Sequence, residues 1–300
     1  MTDTFKPLSG HRQAHAEGVI WDDLTQRVRW TDIATSTLYA YDPETGQIDE
    51  HTLPARICCF ALTHEAGVLL LAMEKQVARF YTQDGRLQVL ADIEPDLTGM
   101  RANDGRCDRA GNFVFGTLNE SGPRNDDGSP AKIASFWRFT HDGRLHRLAL
   151  PKAAITNSIC FSPDGGTMYF TDSPTAQIMA CDYDAATGDV ANIRVFAELR
   201  AGMEPDGSTV DAEGYVWNAE WGASRVVRYA PDGRIDATID LPARQPSCVS
   251  FAGKDLDRMV ITSANKYLAE VEPFDGAIFI GTPPRGRGLP EARYGHEVRA

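Results

Sequence analysis

Apolar residues along the chain fall in short runs, too brief for helices, that recur at a nearly constant interval. Six of them, at 27–33, 68–74, 112–118, 167–173, 215–221 and 258–264, have strand character and end in a small or polar residue. Each follows a turn of Asp, Gly or Pro type, such as Asp108-Arg109-Ala110-Gly111, Ser162-Pro163-Asp164-Gly165 or Asp211-Ala212-Glu213-Gly214. A further strand-like run comes after each, at 37–41, 77–81, 135–139, 177–183, 225–229 and 277–280. Most units then carry a hairpin signal that tolerates positive φ, as in Asp42-Pro43-Glu44-Thr45-Gly46, Ala186-Thr187-Gly188 and Pro231-Asp232-Gly233. A fourth run leads back to the next unit.

A repeat of about 45 residues and four strands is the unit of a propeller blade, because such a sheet must stack on neighbours to bury both faces. Helical periodicity is absent, which disfavours a parallel α/β sheet. The expected fold is therefore all-β, a six-bladed β-propeller with four-stranded antiparallel blades, forming one domain over residues 1–300. The sixth unit is the least regular. Its ring closes with either an N-terminal strand near 5–8 or a C-terminal one near 297–299.

The composition, 42% hydrophobic and 24% charged over 300 residues, is that of an ordinary globular chain able to bury a full core. A formal net charge of −12 argues against nucleic acid as a partner and suits a cation site. No apolar run approaches the roughly 20 residues that span a bilayer, so no membrane association is expected. Residues 1–10 lack the basic and apolar regions of a signal peptide. The expectation is a cytoplasmic protein, a monomer or weak homo-oligomer. Six cysteines contain no C-x-x-C pair and two are adjacent, which reads as reduced, buried thiols.

The first strand of each blade lies nearest the axis, so polar residues at its entrance converge on the channel. Alignment on the turn signals places Glu17, Cys59, Asp104, Asn157, Asp206 and Pro246 at equivalent positions. Any one of the acidic or amide residues alone would read as a cap hydrogen-bonded to backbone. Recurring at the axis, before buried strands, they read as a site whose desolvation penalty a divalent cation removes. Two carboxylates and an amide oxygen suit calcium, magnesium or manganese, with zinc or ferrous iron also compatible.

Several motifs together resemble the senescence marker protein, gluconolactonase and regucalcin family. They are Glu17-Gly18-Val19-Ile20-Trp21, Arg101-Ala102-Asn103-Asp104-Gly105 with Phe115-Gly116-Thr117-Leu118, Thr156-Asn157-Ser158 with Tyr169-Phe170-Thr171-Asp172-Ser173, and Pro205-Asp206-Gly207. The resemblance implies a six-bladed propeller that opens a sugar lactone. It implies Glu17, Asn157 and Asp206 as ligands of one divalent metal ion; with these residues at the axis, Asp206, or a metal-bound water deprotonated with its help, is expected to supply hydroxide. It implies substrate contacts from Arg101 and Asn103 and, on a looser match, from Glu120. Asp104 is expected to orient a ligand or a bound water. The family's Gly after the Asn is Ser158 here, a small-for-small change expected to leave Asn157 in place.

Arg101 and the Gly-, Pro- and Asp-rich loop 121–132 are expected to set substrate choice, since neither supplies a metal ligand and a guanidinium fork suits a carboxylate. His15 and His64 read as hydrogen-bonded structural residues, Asp126-Asp127-Gly128 as solvated, and the tryptophans as inter-blade packing, with Trp221 also placed to floor a pocket. No Gly-x-Ser-x-Gly elbow or nucleotide fingerprint is present. Two other readings fit the same pattern: hydrolysis of phosphotriesters or aryl esters at the same site, and a calcium-binding or protein-binding propeller without chemistry.

Overall fold

The computed structural model describes residues 5–295, which form six four-stranded antiparallel sheets arranged as the blades of a β-propeller. Blade 1 runs outward from its inner strand Ala16–Asp22 through Arg27–Asp32 and Thr37–Tyr41 to Ile48–Thr52. The inner strands of blades 2 to 6 are Ile57–Leu62, Met100–Cys107, Thr156–Phe161, Glu204–Val210 and Pro246–Ala252. A 3-10 turn at Ser173–Thr175 is the one helical element among the described residues.

Burial falls from the axis outward. Inner strands are buried on both faces, so they show no alternation and read as continuous runs. Outer strands such as Ile48–Thr52 and Val190–Glu198 lie mostly in solvent. The core sits between blades: Ile20 and Leu38 of blade 1 pack with Ile57, Phe60 and Leu71 of blade 2, and Val210 and Val227 of blade 5 pack with Cys160 and Ile178 of blade 4. Each large apolar side chain so enclosed contributes about 1.5–3 kcal/mol. All six cysteines are buried and free.

The N-terminal segment closes the ring. Lys6–Pro7 is the outer strand of blade 6, pairing with Phe279–Gly281, and Leu8 N–H donates to Ile278 O at 2.7 Å. The alternative closing strand, 297–299, lies outside the described residues. Blade 6 looked irregular because its outer strand comes from the other end of the chain and because residues 264–278 form a long loop between its second and third strands.

Residues 286–295 cross the end of the channel where the inner strands finish. Ala212 N–H donates to Arg287 O (2.8 Å), Gly288 N–H to Leu256 O (2.8 Å), Tyr294 N–H to Leu62 O (2.7 Å) and Gly295 N–H to Gly111 O (2.9 Å). Glu291 pairs with Arg106 of blade 3, Arg293 with Asp22 of blade 1 at 2.9 Å, and Tyr294 stacks on Phe139 at 5.7 Å between centroids. This strap joins blades 1, 2, 3, 5 and 6.

Candidate functional site

In every blade the pairing of inner and second strands is broken near the inner strand's start by a bulge. The breaks lie between Glu17 and Ile20, Ile57 and Cys59, Ala102 and Gly105, Asn157 and Cys160, Pro205 and Ser208, and Pro246 and Val249. A bulge re-aims side chains, and here it turns them into the mouth of the channel. The pairing also corrects the sequence alignment. Glu17 and Asn157 are the last paired residues before their bulges, Asn103 and Asp206 the first residues inside, and Asp104 the second.

Glu17, Arg101, Asn103, Glu120, Asn157 and Asp206 all line one cavity of about 270 Å³ at this mouth. Asp104 stands behind it, its Oδ2 accepting the Ile159 N–H at 2.8 Å two residues beyond Asn157. Ser158, where a glycine was expected, sits at φ +61°, a left-handed conformation disfavoured for a residue with a side chain. Its hydroxyl is hydrogen-bonded to that of Ser208, an interaction glycine cannot make and one that offsets the conformational cost.

A chain of hydrogen bonds fixes the amides. The Pro205 carbonyl can only accept, so Ser173 Oγ donates to it (2.8 Å) and must itself accept from Asn157 Nδ2 (2.9 Å). Asn157 Oδ1 is thereby turned the other way, where it accepts from Asn103 Nδ2 at 2.8 Å and keeps a second lone pair. Asn103 Nδ2 also donates to Thr156 O at 2.8 Å, and its Oδ1 accepts from Arg101 Nη1 at 2.8 Å. Arg101 gives its other bonds to Ala102 O (2.9 Å) and Glu120 Oε1 (3.2 Å). Three of its hydrogen bonds are thus spent within the protein, on Ala102, Asn103 and Glu120, where residue type alone suggested a fork open to a carboxylate.

Glu120 accepts both ends of Arg56, at 2.9 Å each. Burial would raise this carboxyl, but Arg56 and Arg101 overcome it and hold it down to about 2. At the channel the balance is reversed: the Gly18 N–H and the charge of Arg101 favour an ionised Glu17, but they are outweighed. Burial, then the charge of Asp104, pushes Glu17 up to about 8. Asp206 is raised well above the carboxylate range by burial and by Glu17, Asp104 and Glu204. Neither forms an ion pair with a cationic side chain among the described residues.

Among the described residues no group of three or more His, Cys, Asp or Glu is placed to hold a metal. A cation at this mouth therefore relies on the amide oxygen of Asn157 beside the carboxylates of Glu17 and Asp206. That hard-oxygen set, two carboxyls without an ion-pair partner among the described residues and an amide oxygen locked in place, fits a divalent ion.

Several lining or supporting groups have roles that residue type does not mark. Ser173 and Arg56 act only through the three-dimensional network. His15, a structural residue by type, lines the cavity, and burial with the charges of Arg101 and Lys266 lowers its pKa to about 3. Glu204 and Tyr267 line it too, as does Trp221, the tryptophan placed to floor a pocket. The loop 121–132 reaches the cavity through Arg124 and Pro130 and is stapled by Asn119, whose Nδ2 donates to Pro123 O (2.7 Å) and Ala131 O (3.0 Å). Asp126, Asp127 and Gly128 are exposed, as expected. No helix is long and apolar enough to cross a membrane among the described residues.

Residues 15–265 match the family described as SMP-30/Gluconolactonase/LRE-like region. The chain is 40% identical to an L-arabinolactonase of Azospirillum brasilense, over 96% of this chain and 94% of that protein. It is 30% identical to a 6-deoxy-6-sulfogluconolactonase of Pseudomonas putida, over 93% and 94%. The crystal structure of regucalcin from Agrobacterium tumefaciens, described as a calcium-binding protein, superposes with a TM-score of 0.90 at 29% identity, covering 99% of both chains.

Proposed function

The chain belongs to the SMP-30/gluconolactonase/LRE-like family, and on that premise we propose that it is a lactonase. It opens a sugar lactone, an aldonolactone or aldarolactone, to the corresponding sugar acid with one divalent cation held by Glu17, Asn157 and Asp206. The lactonase names of its relatives support the reaction class. The observation that carries the site is the pair Glu17 and Asp206, two buried carboxyls in each other's field with no ion-pair partner for either among the described residues. Left uncompensated, buried charge of this kind costs several kcal/mol, so the mouth is arranged for positive charge that arrives from outside.

A cation bound there supplies Lewis-acid polarisation of the ester carbonyl. Asp206 takes the proton of the attacking water at a carboxylate oxygen. Glu120, held ionised by Arg56 and Arg101, accepts from sugar hydroxyls, and Arg101 lines the cavity beside it as a further substrate contact. Asn103 contributes the spare lone pair of Oδ1 to the substrate and, through Nδ2, the orientation of Asn157. Asp104 holds the strand that carries Asn157. The six unpaired thiols suit a reducing compartment, and we place the protein in the cytoplasm.

The test is acid release from a panel of aldono- and aldarolactones, with and without a chelator. Opening that stops on chelation and returns with added cation is expected. Full rate in chelator would sink the cation's role, and a panel in which nothing opens would sink the lactonase reading.

A further inference from the structure

The cavity has two walls of different chemistry. One is the charged network of Arg101, Asn103 and Glu120. The other is aromatic and is assembled from three distant parts of the chain: His15 ahead of the first inner strand, Trp221 at the end of strand Val216–Trp221 of blade 5, and Tyr267 in the long loop of blade 6. The His15 ring lies 5.7 Å from Trp221 at 54° and 6.5 Å from Tyr267 at 78°, within the range in which aromatic rings pack.

Ordinary core packing does not account for this trio. Tyr267 is 70% exposed, so its ring contributes little to the fold, and its backbone sits at φ +69°, which a bulky residue disfavours. Lys266 Nζ lies 4.9 Å from its ring centroid and helps to hold it in place. His15 is buried, and its Nδ1 has no hydrogen-bond partner among the described residues. An exposed ring in a costly conformation and an imidazole with an unmet nitrogen, both lining one cavity, call for a ligand that is apolar on one face and hydroxylated at its edge. A sugar ring has that character: its C–H groups form an apolar face and its hydroxyls project around it.

We propose that His15, Trp221 and Tyr267 form a platform for the C–H face of the lactone ring, fixing which sugar binds and how its ester is turned toward Glu17, Asn157 and Asp206. The proposal rests on the lactonase reading for the identity of the ligand. Its residues supply no cation ligand and no proton, so they act on substrate binding and not on the chemical step.

The experiment uses Tyr267→Ala and Tyr267→Phe, since an exposed side chain can be changed without loss of the fold. Lactone opening and, separately, calorimetric binding of a non-hydrolysed sugar lactam of five- or six-membered ring are measured with cation present. Tyr267→Ala should raise KM and weaken lactam binding by about fivefold, the scale of one aromatic contact, with kcat and cation affinity within about twofold. Tyr267→Phe should match the wild type. His15→Phe, which keeps a ring but removes the nitrogens, should weaken binding of hydroxylated lactams more than of unsubstituted ones. The platform is overturned if Tyr267→Ala binds lactam as the wild type does, or if no lactam binds the wild type. An inactive wild type that still binds lactam through Tyr267 would sink the lactonase reading and leave the platform standing.

Discussion

Asn103 of blade 3 donates from Nδ2 to Asn157 Oδ1 of blade 4 at 2.8 Å, so the oxygen proposed to face the cation is aimed by the neighbouring blade. The bond cannot reverse. Asn157 Nδ2 is committed to Ser173, and Ser173 is committed to the Pro205 carbonyl.

Asn103→Ala should therefore weaken cation binding although it removes no ligand. A loss of about 10- to 100-fold is expected, the range seen when a group that orients a ligand is removed. Calorimetric titration of calcium, manganese and zinc checks it. Affinity equal to the wild type for all three would show that Asn157 needs no help from blade 3.

Glu17 gives the cation-free protein a defined pH response. Its carboxyl, ordinarily at 4.5, is pushed up to about 8 in the fold, chiefly by burial. The native state thus holds this proton more tightly than the unfolded chain, and the stability it brings is intact below pH 4.5 and lost as pH rises through 8. In chelator the melting temperature should fall across that window. Glu17→Gln cannot ionise and should flatten the fall, gaining roughly 2–4 °C at its upper end for each kcal/mol of relieved burial cost. Identical melting profiles for the two proteins would count against an uncompensated charge at Glu17.

The strap at the far end of the channel should govern stability and not catalysis. Arg106 is buried, and Glu291 is its ion-pair partner. Glu291→Ala leaves that guanidinium without its partner, at a cost of about 3–5 kcal/mol. Denaturant melts should show the loss, while kcat/KM per folded molecule stays near the wild-type value because the cavity opens at the opposite end of the strands. A variant with unchanged stability and altered kcat/KM would reverse this assignment.

Legibility in the sequence followed burial and repetition. The second and third strands could be placed to within a residue or two, because runs such as Thr167–Asp172 and Val216–Trp221 are β-rich and follow turns that carry Asp and Gly. Fourth strands were faint because solvent, not a neighbouring blade, sets their composition. Glu17, Asn157 and Asp206 stood out because each precedes a small residue and a buried strand. Their exact register did not, since a bulge shifts pairing without leaving a mark in residue type. Arg56 and Tyr267 carried no signal at all, and Ser173 only its place at the end of a family motif. A serine after a strand, an arginine in a Pro-Ala-Arg turn and a tyrosine in a long loop acquire meaning only when blades that are distant in sequence are closed into a ring.

Arg101→Lys tests what that network does. From residue type, the change should alter substrate choice and leave the cation alone, because Arg101 is no ligand. The hydrogen bonds lead to a different outcome. Arg101 reaches Ala102 O, Asn103 Oδ1 and Glu120 Oε1 from one rigid plane, and a lysine ammonium on a flexible stem cannot reproduce that fan. Asn103 then loses the contact on its oxygen side, and Asn157 loses part of what aims Oδ1. KM for the preferred lactone should rise and cation affinity should fall together, the second by about tenfold. Kinetics on a lactone panel and cation titration, run on the same preparation, give both numbers. If KM rises while cation affinity is unchanged, Arg101 acts on the sugar alone, and the path from Arg101 through Asn103 to Asn157 carries no energy.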